Sequence, residues 1–309
     1  MKPRLWILLA ALIGMLSFLE KGFYRQENLL NILLQVSIDG ILACGMTLVV
    51  LTSGLDLSIG SVMALSGVVF VMAAEQGVWA AGVFAALAGL AVGTLNGFLI
   101  ARLHLNSLIV TLGTMAVVQG VVLWLSRGYP LPGPGGDFEM PGGGFFLYIP
   151  LPIVYFACVA TTCYLLLRFT QWGRDIYAIG GSRGASRIAQ IPIVATEWSV
   201  YAVSASLAAF AGIVLASRLN TGSPIIGQDA PLQAFVAVTL GGTSLSGGKG
   251  GIGQTVLGIL VLGVLSNGLN LLNVPPAWQW GIKGSLLIIF AGLENAPRFG
   301  WLRVQKEPA

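Results

Sequence analysis

Long apolar runs repeat along almost the whole chain, and short polar links separate them. A membrane crossing needs about 20 mainly apolar residues. By that rule the pattern predicts ten helices, near 5–20, 29–51, 59–74, 78–101, 107–126, 149–168, 197–217, 231–245, 252–272 and 277–293. Three connections break the periodicity. Residues 127–150 are rich in Gly and Pro (YPLPGPGGDFEMPGGG) and read as irregular backbone. Residues 217–230 (SRLNTGSPIIGQDA) form a second link, and the two prolines of 273–278 (NVPPAW) stop the helix before them.

One polar stretch is different, because it too reads as helix. Residues 169–197 run FTQWGRDIYAIGGSRGASRIAQIPIVATE, with Arg168 at the entrance and Arg174, Arg183 and Arg187 inside. After Gly180 and Gly181, Ser182 is a good N-cap. Ala185, Ile188, Ala189 and Ile191 then recur on one face, with Arg183, Ser186, Arg187 and Gln190 elsewhere. This predicts an amphipathic helix of about ten residues. A small, Ala-rich apolar face favours contact with protein over burial in lipid headgroups. The stretch reads as a docking surface for a soluble partner.

Composition turns the hydropathy pattern into a class. The chain has 309 residues, of which 56% are hydrophobic and 9% charged. Soluble domains carry roughly 25% charge, so these few charges could not cover a soluble surface. The reading is an all-α, polytopic integral membrane protein forming one domain over 1–309. The net charge of +4 reflects basic loops facing the cytoplasm rather than nucleic-acid binding. Ten spans put both termini on one side. With that side cytoplasmic, the inner segments hold Lys2, Arg4, Arg102, Arg168, Arg174, Arg183, Arg187, Lys249, Arg298, Arg303 and Lys306. The outer segments hold only Lys21, Arg25, Arg127 and Arg218, so the positive-inside rule places 169–197 in the cytoplasm. The basic start and apolar run of 1–20 resemble a signal peptide. No small-residue cleavage site follows, and the run is read as a retained first helix.

Small residues recur every fourth position in Gly89, Gly93 and Gly97, and again in Ser204, Ala208 and Gly212. Each set predicts close helix packing, within the subunit or between subunits. Two joints, 47–60 and 238–250, place Gly, Ser and Thr between apolar runs. Paired breaks of this kind point to a substrate path, and two ordinary inner turns would look the same. Asp39, Asp56 and Lys283 are charges within or between spans, where a charge is costly. Asp39 and Asp56 are either ion-coupling sites or structural hydrogen-bonding groups, and Asp56 also suits a cap on the third helix.

Chemistry is scarce. Lys249 in GGTSLSGGKGG lacks the spacing and the Ser/Thr of a phosphate-binding loop. No Gly-x-Ser-x-Gly elbow is present, and His104 is the only histidine, which excludes His-based metal clusters. Cys44, Cys158 and Cys163 lie in apolar runs and suggest no disulfide framework.

Three motifs carry a family resemblance: 45–61 (GMTLVVLTSGLDLSIGS), 170–181 (TQWGRDIYAIGG) with the helix after it, and 239–250 (TLGGTSLSGGKG). The segment 106–113 (NSLIVTLG) adds to them. Together they resemble the permease subunits of ABC importers for ribose, xylose, arabinose and related sugars, within the branched-chain amino acid and sugar permease superfamily. The wording of 52–60 is that of the sugar branch. The resemblance implies a type II ABC importer-like permease fold in the bacterial inner membrane, with about ten transmembrane helices. It implies a second permease copy or paralogue, an ATPase with two nucleotide-binding domains that binds the ATP and magnesium, and a periplasmic sugar-binding protein. It also makes 169–197 the coupling segment. Gly173, Arg174, Gly180, Gly181, Ser182, Arg183, Ala185, Arg187 and Ile188 are the expected ATPase-coupling residues. Two positions depart from the family. Its acidic run Glu-Leu-Asp-Ala-Ile-Ala is replaced by 230–235 (APLQAF), and the Asn that often follows Gly-Gly is Ser182.

The expectation is a permease that performs no chemistry and holds no cofactor of its own. Thr52, Ser53, Asp56, Ser58, Asn96 and Thr111 are the expected path-lining residues. The alternative is an ion-coupled secondary transporter using Asp39 or Asp56.

Overall fold

The structure, a computed structural model, describes residues 3–295. Of the charges counted above, Lys2, Arg298, Arg303 and Lys306 lie outside the described residues. The helices are α1 (Pro3–Leu19), α2 (Gln26–Leu51), α3 (Ile59–Met72), α4 (Val78–Gly97), α5 (Ser107–Ser126), α6 (Met140–Gly143), α7 (Leu151–Phe169), α8 (Gln171–Gly181), α9 (Arg183–Ile188), α10 (Ile193–Leu219), α11 (Ala230–Gly241), α12 (Ile252–Leu271) and α13 (Pro276–Asn295). A π-helical turn, Phe98–Arg102, extends α4. Helices stand at all ten sites where the apolar runs predict them. Six are long and apolar enough to cross a membrane: α2, α4 with its π turn, α5, α7, α10 and α12. The chain is therefore an all-α, multi-pass membrane protein. Pro275 and Pro276 open α13 rather than only closing α12, since the first turn of a helix tolerates proline.

The central helix is α10, and both small-residue stripes are used up inside the chain. A Cβ added at Gly89 or Gly93 would strike Ala209 or Ala205 of α10, and one at Gly97 would strike Trp198. The other stripe meets different helices: Ser204 lies against Gly45 of α2, and Gly212 against the backbone of Met63 in α3. These close approaches replace the bulky side chains of a soluble core, as expected where lipid removes the hydrophobic drive between helices.

Of the helices at predicted spans, α3 and α11 are too short for a crossing. At 14 and 12 residues, α3 and α11 reach about 21 Å and 18 Å, against a hydrocarbon core of about 30 Å. Both start inside the bundle. The link after α2 turns back inward, so that Asp56 meets Ser204, the twelfth residue of the 27-residue α10. The link after α10 likewise turns inward from the opposite end. The two links meet where a Cβ on Gly60 would strike the carbonyl of Gly227. Gly227 has φ +85°, and a Cβ there would sit 2.7 Å from the Gly60 carbonyl, so both positions need glycine. From this point α3 and α11 run to opposite ends. The partner of the 52–58 break is therefore 220–229, not 238–250. Residues 242–251 are a loop at the α9 end, where Gly242, Gly247, Gly248, Gly250 and Gly251 all take positive φ.

The 127–150 connection is also more ordered than its composition predicts. Leu131–Pro132 (β1) and Thr221–Gly222 (β4) pair antiparallel, as do Phe145–Phe146 (β2) and Ile149–Pro150 (β3). Phe138 is buried and stacks on Phe70 at 4.4 Å between centroids. An aromatic anchor fixes a loop that glycine alone would leave free.

Candidate docking and transport sites

The short helix α9 and the cavity beneath it form the candidate site. The Ser182 side chain accepts the N–H of Ala185 at 3.2 Å, as its N-cap position predicts. The helix is six residues long rather than about ten, because Gln190 takes φ +55° and Pro192 follows. Only Ser186 of α9 is buried. Ala185, Arg187 and Ala189 are exposed, and Ile188 is 87% exposed, so the apolar side of α9 covers nothing in this chain.

Its base, in contrast, is held firmly. Gly173 packs under the backbone of Leu166 and Leu167, while Arg174 donates to Gln171 at 2.7 Å. Thr170 caps α8 by accepting the Gly173 N–H. The Gly180 position is closed by the Leu51 carbonyl and the Gly248 N–H. That N–H itself donates to Leu51 at 2.9 Å, Ser53 donates to the Ser246 carbonyl at 2.8 Å, and Tyr177 donates to the Gly250 carbonyl at 3.0 Å. Trp172 ties α8 to α10 by donating to Ser199 at 2.7 Å. Gly181, one residue on, has open space around it. The rigid unit thus ends where α9 begins.

One ion pair links α9 to the bundle, the only one among the described residues: Arg183 donates to Glu197 at 2.6 Å. The guanidinium is half exposed, whereas the carboxylate is buried. Under this pair lies a cavity of about 500 Å³, bordered by Thr52, Ser53, Asn106, Ser107, Glu197 and Tyr201. The Tyr201 hydroxyl is buried and has no hydrogen-bond partner among the described residues. Glu197 and Tyr201 escaped the sequence reading. Glu197 ends the polar 169–197 stretch, Tyr201 sits inside the apolar run after it, and only the fold brings them to Arg183 and Thr52.

Asp56, Ser58 and Asn96 form a closed network instead of facing this cavity. Ser58 donates from its hydroxyl (2.6 Å) and its N–H (3.1 Å) to one Asp56 oxygen, and Ser204 donates to the other at 3.1 Å. Asn96 donates to Ser58 at 2.9 Å and accepts from Thr114 at 2.6 Å. Thr111 is buried beside it and bonds back to Ser107. Asp56 thus binds the N–H of the residue just before α3. Asp39 and Lys283 border one small cavity away from this network, without closing to an ion pair.

The comparisons with known proteins agree on a class. The family profile described as "branched-chain amino acid transport system / permease component" matches residues 28–291. The chain is 40% identical to the ribose import permease protein RbsC of Bacillus subtilis, over 92% of this chain and 89% of that one. It is 37% identical to RbsC of Escherichia coli K12, over 96% and 94% of the two chains. The L-arabinose transport system permease protein AraH of Escherichia coli K12 is 35% identical, over 84% and 80%. No solved structure matches the chain.

Proposed function

The chain belongs to the permease-component family of branched-chain amino acid transport systems, and from that membership we propose that it is the membrane-spanning subunit of an ATP-driven sugar importer. The substrate class is a sugar of the ribose or arabinose kind, taken from the relatives. The chain itself supplies the path and performs no chemistry. A separate ATPase hydrolyses ATP at one end of the bundle, a binding protein delivers sugar at the other, and a second permease copy or paralogue completes the path.

The observation that carries the coupling half of this reading is the state of α9. An apolar helix side that covers nothing, beside exposed Arg187 and at the basic end of the chain, fits a groove on a soluble partner. Arg102, Arg168, Arg174, Arg183, Arg187 and Lys249 belong to this end, against Lys21, Arg25, Arg127 and Arg218 at the other, which favours a cytoplasmic position for α9. Because α9 roofs the 500 Å³ cavity through Arg183 and Glu197, a pull on α9 acts directly on the wall holding Thr52, Ser53 and Tyr201. Those residues form the inner mouth of the path. The Asp56 network braces the α3 start above it. The ion-coupled alternative is not favoured: the relatives are named as import permeases, and both Asp56 oxygens are already engaged.

The test is Ile188→Glu and Ala185→Trp in the assembled transporter. Both side chains are exposed, so the chain inserts and folds. Substrate-stimulated ATP hydrolysis falls at least ten-fold in each. Stimulation at the wild-type level in both would remove the docking role from α9.

A further inference from the structure

Hydrogen-bonding side chains are expensive at membrane depth unless something satisfies them, and those found there mark functional surfaces. On α2, Asn28 meets this demand inside the chain: its amide exchanges hydrogen bonds with Asn267 of α12 at 3.1 and 2.7 Å. Three further polar residues on the helix do not. Asn31, Gln35 and Asp39 follow at four-residue steps, which stacks them on one side of α2. Each makes no side-chain hydrogen bond among the described residues. They border an open cleft of about 400 Å³, shared with Gln233 of α11 and Arg218 from the last turn of α10. That volume lies within the range of small-molecule pockets, roughly 300–1,000 Å³. The cleft continues past Gln35, Asp39 and Gln233 into a cavity of about 20 Å³ that reaches Lys283. A space of that size holds one water molecule.

We infer that this stripe, Asn31, Gln35, Asp39 and Gln233 with Arg218 and Lys283, is the sugar-contacting wall of the path on the side away from α9. The inference rests on the importer reading above. The chemistry of the set selects the class of ligand. Three amides, Asn31, Gln35 and Gln233, offer both donors and acceptors, a carboxylate accepts, and a guanidinium and an ammonium donate. The opposite charges leave the wall with no single strong sign, so an ion gains little from it. A neutral polyhydroxylated molecule uses every group, since each hydroxyl both donates and accepts. Gln233 makes the wall neutral where α11 enters the cleft, three residues after that helix starts at Ala230. The stripe also runs from the bundle end near Arg218 towards the interior, the direction a substrate would travel.

The experiment uses the complete transporter, with ATPase and binding protein, in proteoliposomes. Gln35→Cys and Gln233→Cys are made with Cys44, Cys158 and Cys163 replaced, and a membrane-impermeant thiol reagent is applied from the binding-protein side. Both variants label, and a panel of pentoses and hexoses presented with the binding protein slows labelling at least three-fold for the transported sugar. In parallel, Gln35→Leu and Gln233→Leu lower uptake of that sugar at least ten-fold while the complex still assembles, and Gln233→Asn recovers part of it. The inference is overturned if the wild-type transporter imports sugar while both cysteine variants stay unlabelled and both leucine variants import normally. Spontaneous cross-linking of the cysteine variants between two copies, with no labelling, also overturns it, because the second copy then fills the cleft. Absence of ATP-driven uptake by the wild-type complex for every sugar in the panel is a separate failure and sinks the importer reading itself.

Discussion

At the residue scale, the contact that decides the behaviour of α9 is Arg183 with Glu197. An ion pair with one exposed partner contributes modestly, about 0.2–1 kcal/mol, so its use is positional more than stabilising. Glu197→Gln keeps the size and a hydrogen bond but removes the charge that holds Arg183. We expect the melting temperature in detergent to change little and substrate-stimulated ATP hydrolysis to drop several-fold. A large fall in melting temperature with coupling intact would show that the pair holds the bundle together instead. The capping role of Ser182 was legible in the sequence, because a cap and its helix are a few residues apart. The pairing of Arg183 with Glu197, and of Thr52 with Tyr201 around one cavity, was not. It depends on α10 returning beneath α9, and nothing local encodes that.

At the scale of elements, the half-length helices α3 and α11 were hidden for a simple reason. Hydropathy counts apolar residues and ignores backbone direction, so it extended the eighth run to 245, although Gly242 in the left-handed region ends α11 at Gly241. The same reading paired 47–60 with 238–250, since both are rich in Gly, Ser and Thr. What distinguishes the true partner, 220–229, is a close approach between Gly60 and Gly227 that only coordinates reveal. The pairing gives a sharp prediction. Gly60→Val forces the two links apart, and overpacking of this kind costs roughly 1–3 kcal/mol. Gly113→Val on α5 meets open space and serves as the comparison. Thermal unfolding in detergent should show a clear loss for the first substitution and little for the second. Equal stability of the two would mean that α3 and α11 do not start from a shared point.

At the scale of the whole molecule, the parts divide a single task. A rigid unit of α8, the 242–251 loop and the end of α2 stops at Gly180, and α9 projects beyond it with its apolar side open. Inside, both small-residue stripes lock α4, α2 and α3 onto α10, so these helices meet through packed backbone rather than through loose side chains. Two polar cavities border the described helices, one under α9 and one beside Asp39. Membrane class and helix sites could both be read from the sequence. The polar cleft could not, because Gln35 and Gln233 stand isolated in apolar runs and gain meaning only when α2 and α11 are side by side. The central claim is that this chain conducts sugar only when a partner hydrolyses ATP. The most direct measurement is radiolabelled sugar uptake into proteoliposomes, comparing the chain alone under a proton or sodium gradient with the full complex supplied with ATP. The account predicts uptake only in the second case, and gradient-driven accumulation by the chain alone would contradict it.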